Sequence, residues 1–227
     1  MIDRIIVMLT HNDVTVGNAK EIFESAGDLP VKNWGFKDVG LPAAEMQELC
    51  ALMKERGKTT FLEVVTYTEE ACMRGARVAA ECGFDHLMGT IFYPAVNDFI
   101  RTAKLKYMPF VGDVSGSPSV LRGTAEGMLA QEAAYKAAGV FGTDLLGYRY
   151  AEGDPEQLAA DFISRARLPC VLAGSIDSEK RLDIVEKLAP WGFTMGSALF
   201  NKRFVPGGTF RENLEHVVRY LSKKERI

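Results

Sequence analysis

Residues 168–200 read LPCVLAGSIDSEKRLDIVEKLAPWGFTMGSALF. The apolar run CVLA ends in Gly174-Ser175, and the run GFTM ends in Gly196-Ser197. Between them lies a segment of helical period that opens with acidic residues, so the whole reads as strand, helix, strand. Glycine lets a backbone approach a ligand closely, serine adds a hydroxyl donor, and exposed N–H groups favour an anion. Two such turns on neighbouring strands converge on one dianion, which makes Gly174, Ser175, Gly196 and Ser197 a candidate phosphate site.

Working outward, the same alternation fills the chain. The strand candidates are RIIVMLT, VKNWGFKDVG, TTFLEVVT, HLMGTIF, YMPFVGDV, DLLGYRY, PCVLAGS and GFTMGSA. Eight strands in 227 residues give about 28 residues per unit, the size of one strand-loop-helix step in a parallel sheet. Thr68 starts one helix with acids in its first turn and Gly83 as its stop. Asp154, Pro155 and Gln157 open another in the manner of a capping box. FRENLEHVVRYLSKKER, residues 210–226, makes a closing helix. Alternating strand and helix allows an open doubly wound sheet or a closed barrel. Eight units favour the α/β barrel, (β/α)8, as a single domain over residues 1–227, and no G-x-G-x-x-G follows the first strand to support the open sheet.

Charge and cysteine usage narrow the function. A net charge of −3 gives no electrostatic footprint for nucleic acid or an anionic membrane, so phosphate affinity must be local. No apolar run approaches a transmembrane length, and no signal-peptide pattern follows MIDRIIVML. Four cysteines without C-x-x-C spacing read as buried free thiols in a reducing compartment, and the expected location is cytoplasmic. No H-x-H or H-E-x-x-H spacing occurs, so no dedicated metal site is expected and no cofactor is called for, with Mg²⁺ on Asp38, Glu63 and Asp113 beside substrate oxygens as the alternative.

VLAGSIDSEKR followed by GFTMGSALF resembles the seventh- and eighth-strand signature of the ribulose-phosphate-binding barrels. That superfamily includes isomerases of histidine and tryptophan biosynthesis, sugar-phosphate epimerases and decarboxylases. The resemblance covers the last third of the chain and implies a phosphosugar held by the two Gly-Ser turns. It departs in three ways: the seventh-strand turn is Ala-Gly-Ser rather than a glycine pair, the first strand lacks the aspartate of the histidine-pathway isomerases, and the cysteine motif of the tryptophan-pathway isomerase is missing. Binding carries over better than reaction.

Active sites of this fold lie at the C-terminal ends of the strands. Three strands carry ionisable groups there: Lys37 and Asp38 on the second, Glu63 on the third and Asp113 on the fifth. Alternation sorts their faces. With Trp34 and Phe36 under the helices, Lys37 points into the barrel and Asp38 does not. Phe61, Glu63 and Val65 share a face, and inward is the face on which Glu63 finds partners. Lys37 and Glu63 are then expected to meet inside, either as a structural ion pair or as an acid/base pair with Asp113 opposite. His11, with Asn12 and Asp13, beyond strand one, and Arg149, on strand six, are candidate substrate contacts; a solvated loop and a pairing with Glu152 are the plain alternatives. GDVSGSPSVLRGT after strand five has the composition of a lid or of an ordinary loop. His86 and His216 fall away from the site.

These features point to an isomerase or epimerase acting on a small phosphorylated sugar or sugar-derived substrate. Glu63 or Asp113 removes a proton beside a carbonyl, and Lys37 stabilises the enediolate oxygen. The rivals are a Schiff-base lyase of aldolase type using Lys37, and a non-catalytic barrel that binds a phosphorylated metabolite. The second needs the turns but not the buried charges. A homo-oligomer is left open.

Overall fold

The computed structural model describes residues 1–224. Eight parallel strands form its centre: β1 Ile5–Met8, β2 Asn33–Lys37, β3 Thr59–Val64, β4 His86–Gly89, β5 Lys106–Met108, β6 Thr143–Leu145, β7 Cys170–Leu172 and β8 Gly192–Met195. Their order around the sheet is β6-β7-β8-β1-β2-β3-β4-β5. The remaining seam closes through hydrogen bonds from Gly142 N to Tyr107 O, Asp144 N to Pro109 O and Val111 N to Asp144 O, at 2.9–3.2 Å. The architecture is the (β/α)8 barrel, and each of the eight strand candidates supplies one stave.

Around it run α1 Ala19–Ala26, α2 Ala43–Glu55, α3 Glu69–Glu81, α4 Pro94–Thr102, α5 Ala125–Ala137, α6 Pro155–Arg165, α7 Glu179–Leu188, the single turn α8 Ser197–Phe200 and α9 Phe210–Lys224. The expected closing helix corresponds to α9; residues 225 and 226 lie outside the described residues. Starts follow the cap chemistry: Thr68, Thr124 and Ser178 each accept a backbone N–H three residues on, and the Asp154 carboxylate accepts from Glu156 and Gln157.

Strand alternation splits the apolar residues into two cores. Trp34, Phe36, Leu62 and Leu87 face the helices, where Phe23 meets Trp34 edge-on at 5.1 Å. Ile6, Met8, Phe61, Met88, Met108 and Val171 fill the barrel itself. At its N-terminal mouth Phe61 stacks on His86 at 4.2 Å, and Phe141 and Trp191 close round them.

Three segments differ from the sequence expectation. Regular strand five ends at Met108, with isolated pairing running on through Pro109 O, Phe110 and Val111 before the chain leaves the barrel at Gly112, whose φ is +84°. The chain beyond it forms a separate hairpin, Asp113–Ser115 with Val120–Arg122. Strand six stops at Leu145, and GYR becomes a 3-10 turn, Gly147–Arg149. After β1 the chain makes a small hairpin, Thr10–His11 against Val14–Thr15, whose two central residues Asn12 and Asp13 have φ of 50° and 63°. That is the geometry of a two-residue type I′ turn, which Asn and Asp tolerate well.

Candidate active site

A cavity of about 440 Å³ opens at the C-terminal mouth of the barrel, within the usual range for small-ligand sites. Lys37 and Glu63 stand on its floor, the last inward positions of β2 and β3, paired directly in the sheet register. Both turn inward as alternation requires, at 6 % and 8 % exposure. Lys37 Nζ lies 3.6 Å from Glu63 Oε1 and 2.9 Å from Asp13 Oδ1. The Glu63 carboxylate makes no hydrogen bond to another described residue and faces the cavity.

Asp13 organises this end. Its carboxylate takes both terminal nitrogens of Arg149, at 2.8 and 3.2 Å, together with the Lys37 ammonium. Burial opposes its ionisation, but the hydrogen bonds from Arg149 and Lys37 prevail and hold its pKa down at about 2. Burial likewise works against the charge on Lys37. Glu63 and Asp13 outweigh it, so the Lys37 pKa stands above the ordinary lysine value. Arg149 thus pairs with Asp13, not with Glu152, whose carboxylate accepts from the Gly123 N–H.

Beneath the floor lies Asp144 of β6, fully buried, with neither carboxyl oxygen hydrogen-bonded among the described residues. Its burial, and then the charge on Glu63, push its pKa well above the ordinary aspartate value, which favours the neutral acid. Asp38 sits on the other face of β2, with burial and then Glu63 pushing it up to about 6.

The two Gly-Ser turns line the opposite side of the cavity. Gly174 has φ of +96°, the left-handed conformation that glycine adopts freely. The N–H groups of Gly174, Ser175 and Ser197 donate to no acceptor among the described residues. Gly196 has a different reason to be glycine: a Cβ there would stand 2.8 Å from Thr10 O and 2.9 Å from Met8 O. It lets β8 close against β1 while lining the cavity. Arg203 also lines this side, 3.6 Å from Asp177, which Arg181 holds at 3.0 Å.

Of the sequence candidates, Lys37, Glu63, Arg149, Gly174, Ser175, Gly196 and Ser197 converge on the cavity. Asp113 does not. It is exposed on the hairpin after β5 and is absent from the cavity wall. His11 stands just outside, bonded to Asn201 Oδ1 at 2.9 Å and stacked on Phe200. Asp13, which the sequence reading places beside His11 beyond strand one, lines the cavity; Asp144 and Arg203 are not among the sequence candidates. The HND turn held the one available signal for Asp13, a pair of residues suited to positive φ directly after a strand. The GDVSGSPSVLRGT segment is an ordered hairpin. Its Ser119 lines the cavity, and the Tyr67 hydroxyl joins it at Ser119 Oγ and Gly116 O, both 2.8 Å. Among the described residues no cluster of three or more His, Cys, Asp or Glu side chains could hold a metal ion, and no helix is long and apolar enough to cross a membrane.

No protein-family model matches the chain, and no curated protein matches it in sequence. Solved structures do match. A structure described as native KDPGal superposes with a TM-score of 0.70 at 10% identity, covering 98% of this chain and 96% of its own. The N-acetylmannosamine-6-phosphate 2-epimerase from Clostridium perfringens gives 0.65 at 11%, covering 88% and 91%. The N-(5'-phosphoribosyl)anthranilate isomerase from Pyrococcus furiosus gives 0.65 at 11%, covering 97% and 99%. The chain shares their fold. At such identities the likeness speaks of the barrel and leaves the chemistry to the side chains.

Proposed function

We propose that the protein is an isomerase or epimerase that moves a proton beside the carbonyl of a small phosphorylated sugar or sugar-derived compound. One observation carries the reading: a buried ammonium and a buried carboxylate face the same cavity as two turns with unpartnered N–H groups. The phosphate is read at Gly174, Ser175 and Ser197, with Arg203 beside them. Glu63, whose carboxylate is open to the cavity, takes the proton. Lys37 meets the negative charge that develops on the enediolate oxygen, electrostatic stabilisation in a site largely removed from water. Asp13 and Arg149 hold Lys37 in place. Two structures of the same fold, named for a 2-epimerase and an isomerase, support the reading.

The Schiff-base alternative fares worse on the state of Lys37. An amine nucleophile needs a depressed pKa, whereas this one is raised and its Nζ is held by two carboxylates. A barrel that only binds a phosphorylated metabolite has no use for a buried ion pair at its mouth.

Incubation with a panel of aldose and ketose phosphates in D2O, followed by NMR, tests the reading. Wild type is expected to wash deuterium into the position beside the carbonyl of at least one, and Glu63→Gln to lose that exchange by about 10²-fold or more. Exchange that survives in Glu63→Gln overturns the assignment of the base. An imine trapped by borohydride would move Lys37 to the lyase mechanism.

A further inference from the structure

The charges that line the cavity are distributed unevenly. At the inner end stand two cations, Lys37 and Arg149, and two anions, Asp13 and Glu63. Both cations are already engaged: Lys37 lies between Asp13 and Glu63, and Arg149 spends both terminal nitrogens on Asp13. Just below is Asp144, a fully buried carboxyl with no hydrogen-bond partner among the described residues. The groups that act on Asp144 are the charges of Glu63 from β3, Lys37 from β2 and Arg149 from the turn after β6, together with the backbone N–H of Gly89 at the end of β4. At the outer end, Arg203 and Arg181 share the single carboxylate of Asp177, beside N–H groups that have no acceptor. On the wall itself Arg203 is matched by Asp177, and Arg181, behind the wall, gives the outer end one positive charge in excess; the inner end has none.

We propose that this site selects a monophosphate whose far end carries no carboxylate or second phosphate: a neutral carbonyl or polyol head on a singly phosphorylated chain. The inference rests on the phosphate reading given above and goes further by specifying the other end. A permanent anion at the inner end would enter beside Glu63 and Asp13 with no free cation to meet it, and could be accommodated only by pulling Arg149 off Asp13. Charge that appears only in the transition state is another matter, because the proton that leaves the substrate neutralises Glu63 as the oxyanion forms, and Lys37 is then released from that partner to meet it. The arrangement therefore tolerates a transient oxyanion and rejects a standing one.

Glucose 6-phosphate and 6-phosphogluconate form a suitable probe pair, since they differ in the oxidation state of one terminal carbon. Titration calorimetry on the full chain at fixed ionic strength compares both with inorganic phosphate. The expected result is that phosphate binds and that 6-phosphogluconate binds about tenfold or more weakly than glucose 6-phosphate, the order set by one unmatched charge contact. Equal or tighter binding of 6-phosphogluconate overturns the inference while leaving the phosphate site standing. If neither phosphate nor glucose 6-phosphate binds, the phosphate reading itself fails. Glu63→Gln should narrow the gap between the two sugars, and an unchanged gap would show that the inner carboxylates are not what rejects the acid.

Discussion

The two mouths of this barrel are built from the same strands to opposite ends. On β3, Phe61 and Glu63 point inward two residues apart, roughly 7 Å along the strand. The first stacks on His86 in an aromatic plug; the second lies beside Lys37 under an open cavity. The lower mouth is filled by rings, with Lys106 Nζ 5.1 Å from the Phe141 centroid and Trp191 left 40 % exposed at the rim. The upper mouth holds the charges, the free N–H groups and the two hairpins. Stability and chemistry are thus separated by a single inward step on one strand. Changes below the step are expected to alter folding, and changes above it to alter binding and turnover.

The largest expected effect lies below. Phe61→Ala removes a fully buried ring and should cost about 3–5 kcal/mol in urea unfolding, with phosphate affinity unchanged. A parallel fall in affinity would mean that the two mouths are not separate. Above, Lys37→Met should lower turnover by about 10²–10⁴-fold while the fold persists. If melting temperature falls first and turnover survives, the Lys37–Glu63 pair is structural, and breaking it should cost about 3–5 kcal/mol.

A third test sharpens the contrast through pH. His86 is buried with neither ring nitrogen within ordinary hydrogen-bond geometry of a partner among the described residues, and burial, then Lys106, push its pKa down to about 4. A base whose pKa is lower in the folded state binds its proton more readily when unfolded, so its penalty is absent above about pH 6.5 and grows as pH falls toward 4. Asp38 and Asp144, whose values are raised, act in the opposite sense over that range. The difference between wild type and His86→Phe isolates the histidine. It should shift in favour of the variant by about 2–4 kcal/mol between pH 7 and pH 4, and a constant difference would show that His86 does not titrate there. The smallest effect belongs to Tyr67→Phe, which frees the hairpin over the upper mouth at about 0.5–1.5 kcal/mol. Hydrogen exchange should rise in residues 113–122 and stay constant around His86. Uniform change would deny that the hairpin is held by that hydroxyl.

How much of this the sequence discloses follows from what each signal depends on. Strands and faces depend on local alternation, so the eight staves and the inward turn of Lys37 and Glu63 can be read from residue order. The Gly-Ser turns are legible for a similar reason, although the sequence cannot say that Gly196 is small because of Met8 and Thr10. FVGDV continues an apolar run and so reads as placing Asp113 at the end of strand five, yet the chain turns away at Gly112, in a positive-φ conformation, and carries Asp113 into the hairpin. Asp144 stands at the head of the DLLGYRY candidate, where a polar residue reads as a strand start. Only closure of the β5–β6 seam buries it. Asp13 depends on a hairpin folding across the mouth to partners 24 and 136 residues away, a separation that no local pattern encodes.

That hairpin has a mechanical consequence. Its Asn12 N–H rests on Ser197 Oγ at 3.3 Å, its His11 on Asn201, and its Asp13 on Lys37 and Arg149. Consecutive residues at the tip of one turn therefore touch both the turn proposed as the phosphate cradle and the ammonium proposed to act on the substrate. On that reading, a ligand seated at Ser197 is expected to bear on Lys37 through Asn12 and Asp13. A substrate shorn of its phosphate should then lose turnover as well as affinity, since remote binding energy is applied where the reaction occurs.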